Sequence, residues 1–261
     1  MSRQSIDFDR AADFYDQTRG FPPGVSEQAA ALIAQAGNLT AQSRVLEVGV
    51  GTGRIALPLS AHTASLVGID LSAAMLQRLR SKRRHEPVFV AQGDITRLPL
   101  ASHSIDAAIA VHIFHLVAGY EMALSEVARV LKPGGVLIHA WTEHDKADAL
   151  TEVWRQATGR QQAPEIGMRM DQRLTAMEEN GWQSVGEAHE LAYSVQRAPS
   201  EHLESLRKRI WSHTWRMSDT QIEDALSTLQ NYIDTHFDDP NIPQPVNSTF
   251  VVRIYQPPLQ T

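Results

Sequence analysis

The chain of 261 residues contains no cysteine. That excludes disulfides, thiolate metal centres and a cysteine nucleophile. Basic residues are in deficit, with 24 Lys and Arg against 30 Asp and Glu and a formal charge of -6. A polyanionic partner needs the opposite balance, so nucleic acid is disfavoured as a substrate. No apolar run reaches the length of a membrane span, and Ser2 to Arg19 is too charged for a secretory signal. The expectation is a soluble, cytoplasmic protein whose oligomeric state the sequence leaves open. Internal repeats and low-complexity tracts are also missing. What the chain has is 43% hydrophobic residues, enough to fill a sizeable core.

Those apolar residues fall into runs at Arg44 to Val50, Ser65 to Ile69, Val88 to Ala91, Ile105 to Val111 and Val136 to Trp141. Segments of helical period separate them, such as Ala73 to Leu79 and Met122 to Leu131. Strands apolar on both faces and alternating with helices indicate a doubly wound, mostly parallel α/β sheet. Further on, helices are expected around Asp145 to Ala157 and Met168 to Asn180, the latter stopped by Gly181, then a strand over Trp182 to Val195. Two amphipathic segments follow. The first places Leu203, Leu206, Ile210 and Thr214 on one face; the second carries Ile222, Ala225, Leu226, Leu229 and Ile233 behind a capping box of Ser218 and Gln221. Asn247 to Tyr255 alternates as a last strand, ended by Pro257 and Pro258. The expected organisation is N-terminal capping helices over 1–40, a core over 41–198 and 245–257, and a helical cap inserted at 199–244.

Residues Val45 to Gly53 run from an apolar strand carrying Glu47 into three glycines, Gly49, Gly51 and Gly53. Such a turn lets backbone approach a nucleotide-like ligand where a Cβ would collide with it. In the dinucleotide register the third glycine falls at position 54, which is Arg54; a register shifted to Gly51, Gly53 and Ala56 satisfies the looser form. The turn alone therefore fits either of two adenosine cofactors. Asp70 closes the second strand, where a carboxylate accepts from both ribose hydroxyls, and Ser72 is placed to cap the next helix. Gly93, Asp94 and Ile95 close the third. There an acid accepts from the adenine amine and Ile95 packs on the ring, which favours S-adenosylmethionine over NAD.

Leu46 to Gly53, Gly68 to Asp70, Gly93 to Ile95 and Val130 to Gly135 together resemble a class I S-adenosylmethionine-dependent methyltransferase, in the group that includes the ubiquinone/menaquinone biosynthesis enzymes. The resemblance extends from about Phe14 to Trp141. It implies a seven-stranded Rossmann-like sheet in the order 3-2-1-4-5-7-6, with the seventh strand antiparallel. It also implies that Gly49, Gly51 and Gly53 line the methionine part of the cofactor, that Asp70 with Leu71 meets the ribose and that Asp94 with Ile95 meets the adenine. Glu47 would organise the amino-acid end. Tyr15 and Arg19 are similar to a stretch that in many such enzymes folds over the cofactor carboxylate, and Arg19 has the fixed donor fork for it. Lys132 to Gly135 reads as a family signature without a catalytic part.

The acceptor side is carried by His112 and His115 after the fourth strand. An imidazole there can bind beside the cofactor or take a proton from the acceptor as the methyl group moves. A metal site from His112, His115, His139 and His144 is not expected, because the spacing lacks the one-face pattern of zinc hydrolases and carboxylates are wanting. Trp154, Tyr193, Trp211 and Trp215, with Arg207, Lys208, Arg209 and Arg216, fall in or near the cap, where aromatics line a pocket or basic residues form a solvated face. The expected activity is methyl transfer to a small-molecule acceptor, leaving S-adenosylhomocysteine. Its rivals are an RNA or protein methyltransferase, an NAD-dependent oxidoreductase and a non-catalytic S-adenosylmethionine-binding protein.

Overall fold

A computed structural model describes residues 5–144, 148–159 and 166–258. Seven strands form one sheet in the order β3-β2-β1-β4-β5-β7-β6. They are β1 (Arg44–Val48), β2 (Ser65–Asp70), β3 (Val88–Gln92), β4 (Ile105–Val111), β5 (Leu131–His144), β6 (Gln183–Arg197) and β7 (Gln244–Gln256). β1 pairs in parallel with β2 and β4, β2 with β3, and β4 with β5, while one antiparallel pair makes the sheet mixed. The helices are α1 (Tyr15–Arg19), α2 (Val25–Ala36), α3 (Ala56–Leu59), α4 (Ala73–Lys82), α5 (Tyr120–Val130), α6 (Ala149–Ala157), α7 (Arg173–Glu179), α8 (Pro199–Arg207) and α9 (Asp219–His236). Among the described residues no helix is long and apolar enough to cross a membrane.

The chain divides into two compact units, one of 1–142, 165–191 and 250–261 and the other of 143–164 and 192–249. The second thus takes in 143–164, 192–198 and 245–249, all of them expected in the core, beside the 199–244 segment. In the first unit Leu46, Val48, Ile69, Ala108, Phe114, Leu124, Val127 and Trp182 form the core. The second has its own core, in which Leu203 and Leu206 of α8 meet Ile222, Leu229 and Ile233 of α9 around Trp154 of α6. Trp154 is 3% exposed, so it is a packing residue of this core.

Four local outcomes differ from the sequence pattern, each for a physical reason. β5 starts at Leu131, five residues before the expected strand, because the chain bulges there: Ile105 faces Leu131 and Ala107 faces Val136. Lys132 Nζ reaches Asp106 Oδ1 at 2.5 Å within the bulge, and a Cβ on Gly135 would come within 2.9 Å of the Asp106 carbonyl oxygen. The Lys132 to Gly135 signature is therefore backbone geometry. α7 starts at Arg173 and not near Met168, since Met168 N–H donates to Phe114 O at 3.0 Å and holds the preceding chain against the turn at 114–116. α6 is capped by Asp148, whose carboxylate accepts from Thr151 N–H; the expected helix start at 145–147 lies outside the described residues. α8 stops at Arg207 and leaves Ile210 and Thr214 off its face. Arg209 adopts φ 51°, its N–H donates to Leu206 O and that of Ile210 to Ser205 O. That is a Schellman ending with arginine in the position glycine usually takes. The capping box of Ser218 and Gln221 on α9 forms as read, with both reciprocal bonds present.

Two buried imidazoles make the stability of the fold fall on the acid side. His139 on β5 lies among Phe114, Trp141 and Tyr255, with Nδ1 buried and unbonded, and burial pushes its pKa down to about 3. In the second unit, burial with Arg197 nearby lowers His202 to about 4. The unfolded chain takes up these protons below about pH 6.5 while the folded chain refuses them, so stability falls as pH drops below that value. Each imidazole contributes up to about 1.4 kcal/mol per pH unit until its folded pKa is reached. His139→Phe is expected to flatten the decline of urea-unfolding free energy between pH 6.5 and 4. Parallel wild-type and variant curves would show that His139 has no part in it.

Candidate cofactor and acceptor site

The site forms where β1 ends in the glycine turn. Gly49, Gly51 and Gly53 all have positive φ, at 73°, 55° and 79°. Gly49 N–H donates to Ile69 O at 2.7 Å and so ties the turn to β2. A Cβ on Gly49 would strike the Ile113 side chain at 2.5 Å, whereas one on Gly51 meets only Met75 Cε at 3.5 Å and otherwise projects into open space. A Cβ on Gly53 would meet Leu79 and Leu57. Gly49 and Gly51 therefore border the cleft, and Gly53 serves the packing behind it.

Asp70 organises the turn. Its Oδ2 accepts from Gly51 N–H at 2.8 Å and its Oδ1 from Ser72 N–H at 2.9 Å, joining the glycine turn to the start of α4. Ser72 in turn accepts from Met75 N–H at 3.1 Å as the α4 cap. Burial raises the Asp70 pKa, against the pull of these backbone donors. Glu47 lies beneath the turn, 3% exposed, with Oε2 buried and unbonded. Burial pushes its carboxyl up to about 8, opposed by Arg54 and assisted by the Asp70 charge.

One cleft is lined by Tyr15, Gly49, Gly51, Asp70, Leu71, Asp94, Ile95 and His112, eight of the residues singled out in the sequence. Asp94 is exposed and folds its Oδ1 onto Thr96 N–H at 2.9 Å, while Ile95 is buried. His112 follows β4 directly, with φ 52°, a conformation few non-glycine residues adopt. β5 holds it twice: His112 N–H donates to Ala140 O at 3.1 Å, and Nε2 lies 3.2 Å from Thr142 Oγ1. Glu47, Gly53, Arg19 and His115 are not among the lining residues. Arg19 packs its guanidinium over the rings of Phe8 and Tyr15, at 5.1 and 5.4 Å. His115 belongs to the turn at 114–116, and its charge acts on His139. The two histidines therefore do not form a pair on the cleft.

Sequence reasoning missed Ser5, Ile6 and Phe8 of the lead-in, Met75 of α4, and Ile113, Leu116 and Val117 after β4, all of which line the same cleft. Phe8 left a trace as an apolar residue in a polar stretch. The others carry no local signal. Among the described residues no three of His, Cys, Asp and Glu are placed to hold a metal ion.

The donor and acceptor set fits an adenosine ligand bearing positive charge. The Gly51 backbone is open, Asp70 retains a second lone-pair direction on each oxygen, Asp94 and Ile95 stand at the end of β3, and Glu47 presents an unsatisfied buried oxygen.

Residues 46–139 match the family model described as a methyltransferase domain. The chain is 40% identical over 99 residues to a phosphatidylethanolamine N-methyltransferase of Cereibacter sphaeroides, covering 36% of this chain and 48% of that one. It is 36% identical over 141 residues to a ubiquinone/menaquinone biosynthesis C-methyltransferase of Syntrophotalea carbinolica, covering 50% and 57%. The chain thus spans about half the length of these curated relatives. Its fold is similar to the crystal structure of the [4+2]-cyclase SpnF, with a TM-score of 0.54 and 20% identity over 89% of this chain and 81% of that one. With the strand order, the glycine turn and the Asp70 bridge all in place, residues 46–139 match a methyltransferase domain and resemble the class I S-adenosylmethionine-dependent group that includes the ubiquinone/menaquinone biosynthesis enzymes.

Proposed function

We propose that the protein transfers a methyl group from S-adenosylmethionine to a small-molecule acceptor. The observation that carries this is the join of Gly51 N–H to Asp70 in a cleft that also holds Asp94, with Glu47 buried beneath. These acids suit a cationic cofactor better than a dinucleotide, whose pyrophosphate calls for donors and positive charge. The cofactor supplies an activated methyl group on sulfur. The chain's own residues supply placement: Asp70 and Asp94 hold the nucleoside, the glycine turn admits the amino-acid end, and Glu47 offers that end a carboxylate. Tyr15 and Phe8 close the cleft and exclude water, and orientation of this kind accounts for much of a displacement barrier. His112, fixed by Thr142, is the cleft residue suited to orient the acceptor or take its proton.

The acceptor is a small molecule on two grounds. The charge of -6 opposes an RNA backbone, and the two curated relatives described above are named for lipid and quinone methylation. Those names divide between nitrogen and carbon acceptors, other curated relatives are named as O-methyltransferases, and the fold also serves a [4+2]-cyclase, so the fold does not fix the accepting atom.

A thermal-shift panel tests the cofactor. At a hundredfold excess over its Kd, a ligand stabilises by about 2.7 kcal/mol, which raises Tm by roughly 5–10 °C for a chain of this size. S-adenosylmethionine and S-adenosylhomocysteine are expected to do so and NADH is not; the reverse pattern would overturn the reading. Methyl-labelled cofactor incubated with a metabolite extract should then yield labelled small molecules, whereas binding without any turnover would indicate a sensor.

A further inference from the structure

Residues 5–19 form a strap across the cleft mouth. At one side Ile6 N–H donates to Leu116 O at 3.0 Å and Ser5 Oγ accepts from Ala118 N–H at 3.1 Å, fixing the strap to the segment after β4. At the other side three aspartates meet α4 in register. Asp9 Oδ1 accepts from Ser72 Oγ at 2.5 Å and Ala74 N–H at 3.1 Å, Asp13 pairs with Arg78, and Asp16 Oδ2 accepts from Lys82 Nζ at 2.7 Å. The spacing 9, 13, 16 is met by 74, 78, 82, one helical face of α4. Asp16 reaches further, its Oδ1 accepting from Thr52 Oγ1 at 2.5 Å, inside the glycine turn. Between these anchors Ser5, Ile6, Phe8 and Tyr15 line the cleft.

We infer that Asp9, Asp13 and Asp16 are positioning residues of the cofactor site: they hold Phe8 and Tyr15 over the cleft by docking the strap on α4, and the release of these contacts sets the rate at which cofactor leaves. The inference rests on the cofactor reading above. The side chains of Asp13 and Arg78 are 87% and 48% exposed, and those of Asp16 and Lys82 are 42% and 35% exposed, so salt screens both ion pairs. Asp16 has the most at stake, since it binds the strap to α4 and to the glycine turn at once.

The probe is S-adenosylhomocysteine, its dissociation followed by stopped-flow displacement from about 20 mM to 500 mM salt, a range over which the Debye length falls several-fold. The wild-type dissociation rate is expected to rise with salt, and Asp9→Asn/Asp13→Asn/Asp16→Asn to be about tenfold faster at low salt with a flattened dependence. Exchanging the charges in Asp13→Arg/Arg78→Asp should restore a slow rate that Asp13→Arg alone loses. Equal rates and equal salt slopes in wild type and triple variant would overturn the inference, as would a matching change from Glu223→Gln on α9. Amide hydrogen exchange on the ligand-free chain tests the docking independently of any cofactor: protection of 5–19 should fall in the triple variant, and unchanged protection would refute the clasp. Failure of the wild type to bind S-adenosylhomocysteine, with the protection loss intact, would refute the cofactor reading instead.

Discussion

Glu47→Gln should make the protein progressively more stable relative to wild type as pH rises from 5 to 8. The wild-type carboxyl, buried beneath the glycine turn with Oε2 unbonded, keeps its proton to about pH 8. In the unfolded chain it loses that proton near its ordinary pKa of about 4.5. Between those values the folded state binds more protons than the unfolded one, so unfolding free energy falls as pH rises, by up to about 1.4 kcal/mol per unit. Glutamine has no proton to lose and removes this slope. Between about pH 4.5 and 6.5 the Glu47 slope opposes that of His139 within each protein, but the His139 contribution is common to wild type and variant and cancels in their difference, so the gap between the two curves reports Glu47 across the whole range.

The same substitution should harm binding while it helps folding. A cationic ligand favours the ionised carboxylate, so wild-type affinity for S-adenosylmethionine should rise towards pH 8 with release of a proton, read by calorimetry in buffers of different ionisation enthalpy. In Glu47→Gln both the pH dependence and the proton release should vanish. Urea-unfolding curves at pH 5, 6, 7 and 8 that keep a constant gap between wild type and variant would show that Glu47 is ionised in the folded chain.

Gly51→Val should abolish cofactor binding, with a loss of at least about a hundredfold. Gly51 has φ 55°, which a β-branched residue adopts only with strain, and its Cβ direction opens into the cleft, with Met75 Cε the nearest atom at 3.5 Å. Gly51→Ala separates the two effects: it keeps much of the backbone strain but projects only a methyl group. A graded loss from Gly to Ala to Val by calorimetry, with folded-state circular dichroism retained, is the expected outcome. Valine binding S-adenosylhomocysteine as tightly as wild type would place the cofactor elsewhere.

The parts of this site that were legible in the sequence are those whose requirement is local. A positive φ favours glycine, and Gly49, Gly51 and Gly53 have one each. Asp70 and Asp94 were legible because one ends a parallel strand and the other lies two residues past the end of its neighbour, and such ends collect at one edge. Even there the reading was incomplete. Asp70 stood out as a ribose ligand, but its bonds to Gly51 and Ser72 also make it the brace of the turn, and two residues 19 apart carry no mark of that contact. Gly53 and Gly51 look alike in the motif, although only Gly51 borders the cleft. The end of α8 was hidden because Arg209 does what glycine ordinarily does.

The sequence by itself determined the alternation of strands and helices, the glycine turn and the acidic strand ends, because alternation of apolar runs and the steric rules of φ act within a few residues, while the strand order came with the family resemblance. Only the tertiary structure decided which of the marked residues share the cleft, that His112 and not His115 faces it, and that a strap from the first twenty residues is docked on α4. The docking depends on contacts between residues more than sixty positions apart, such as Asp9 with Ser72, and the placement of His112 on its contacts with Ala140 and Thr142 of β5. Their geometry exists only once the sheet has brought the carboxyl ends of β1 and β2 side by side.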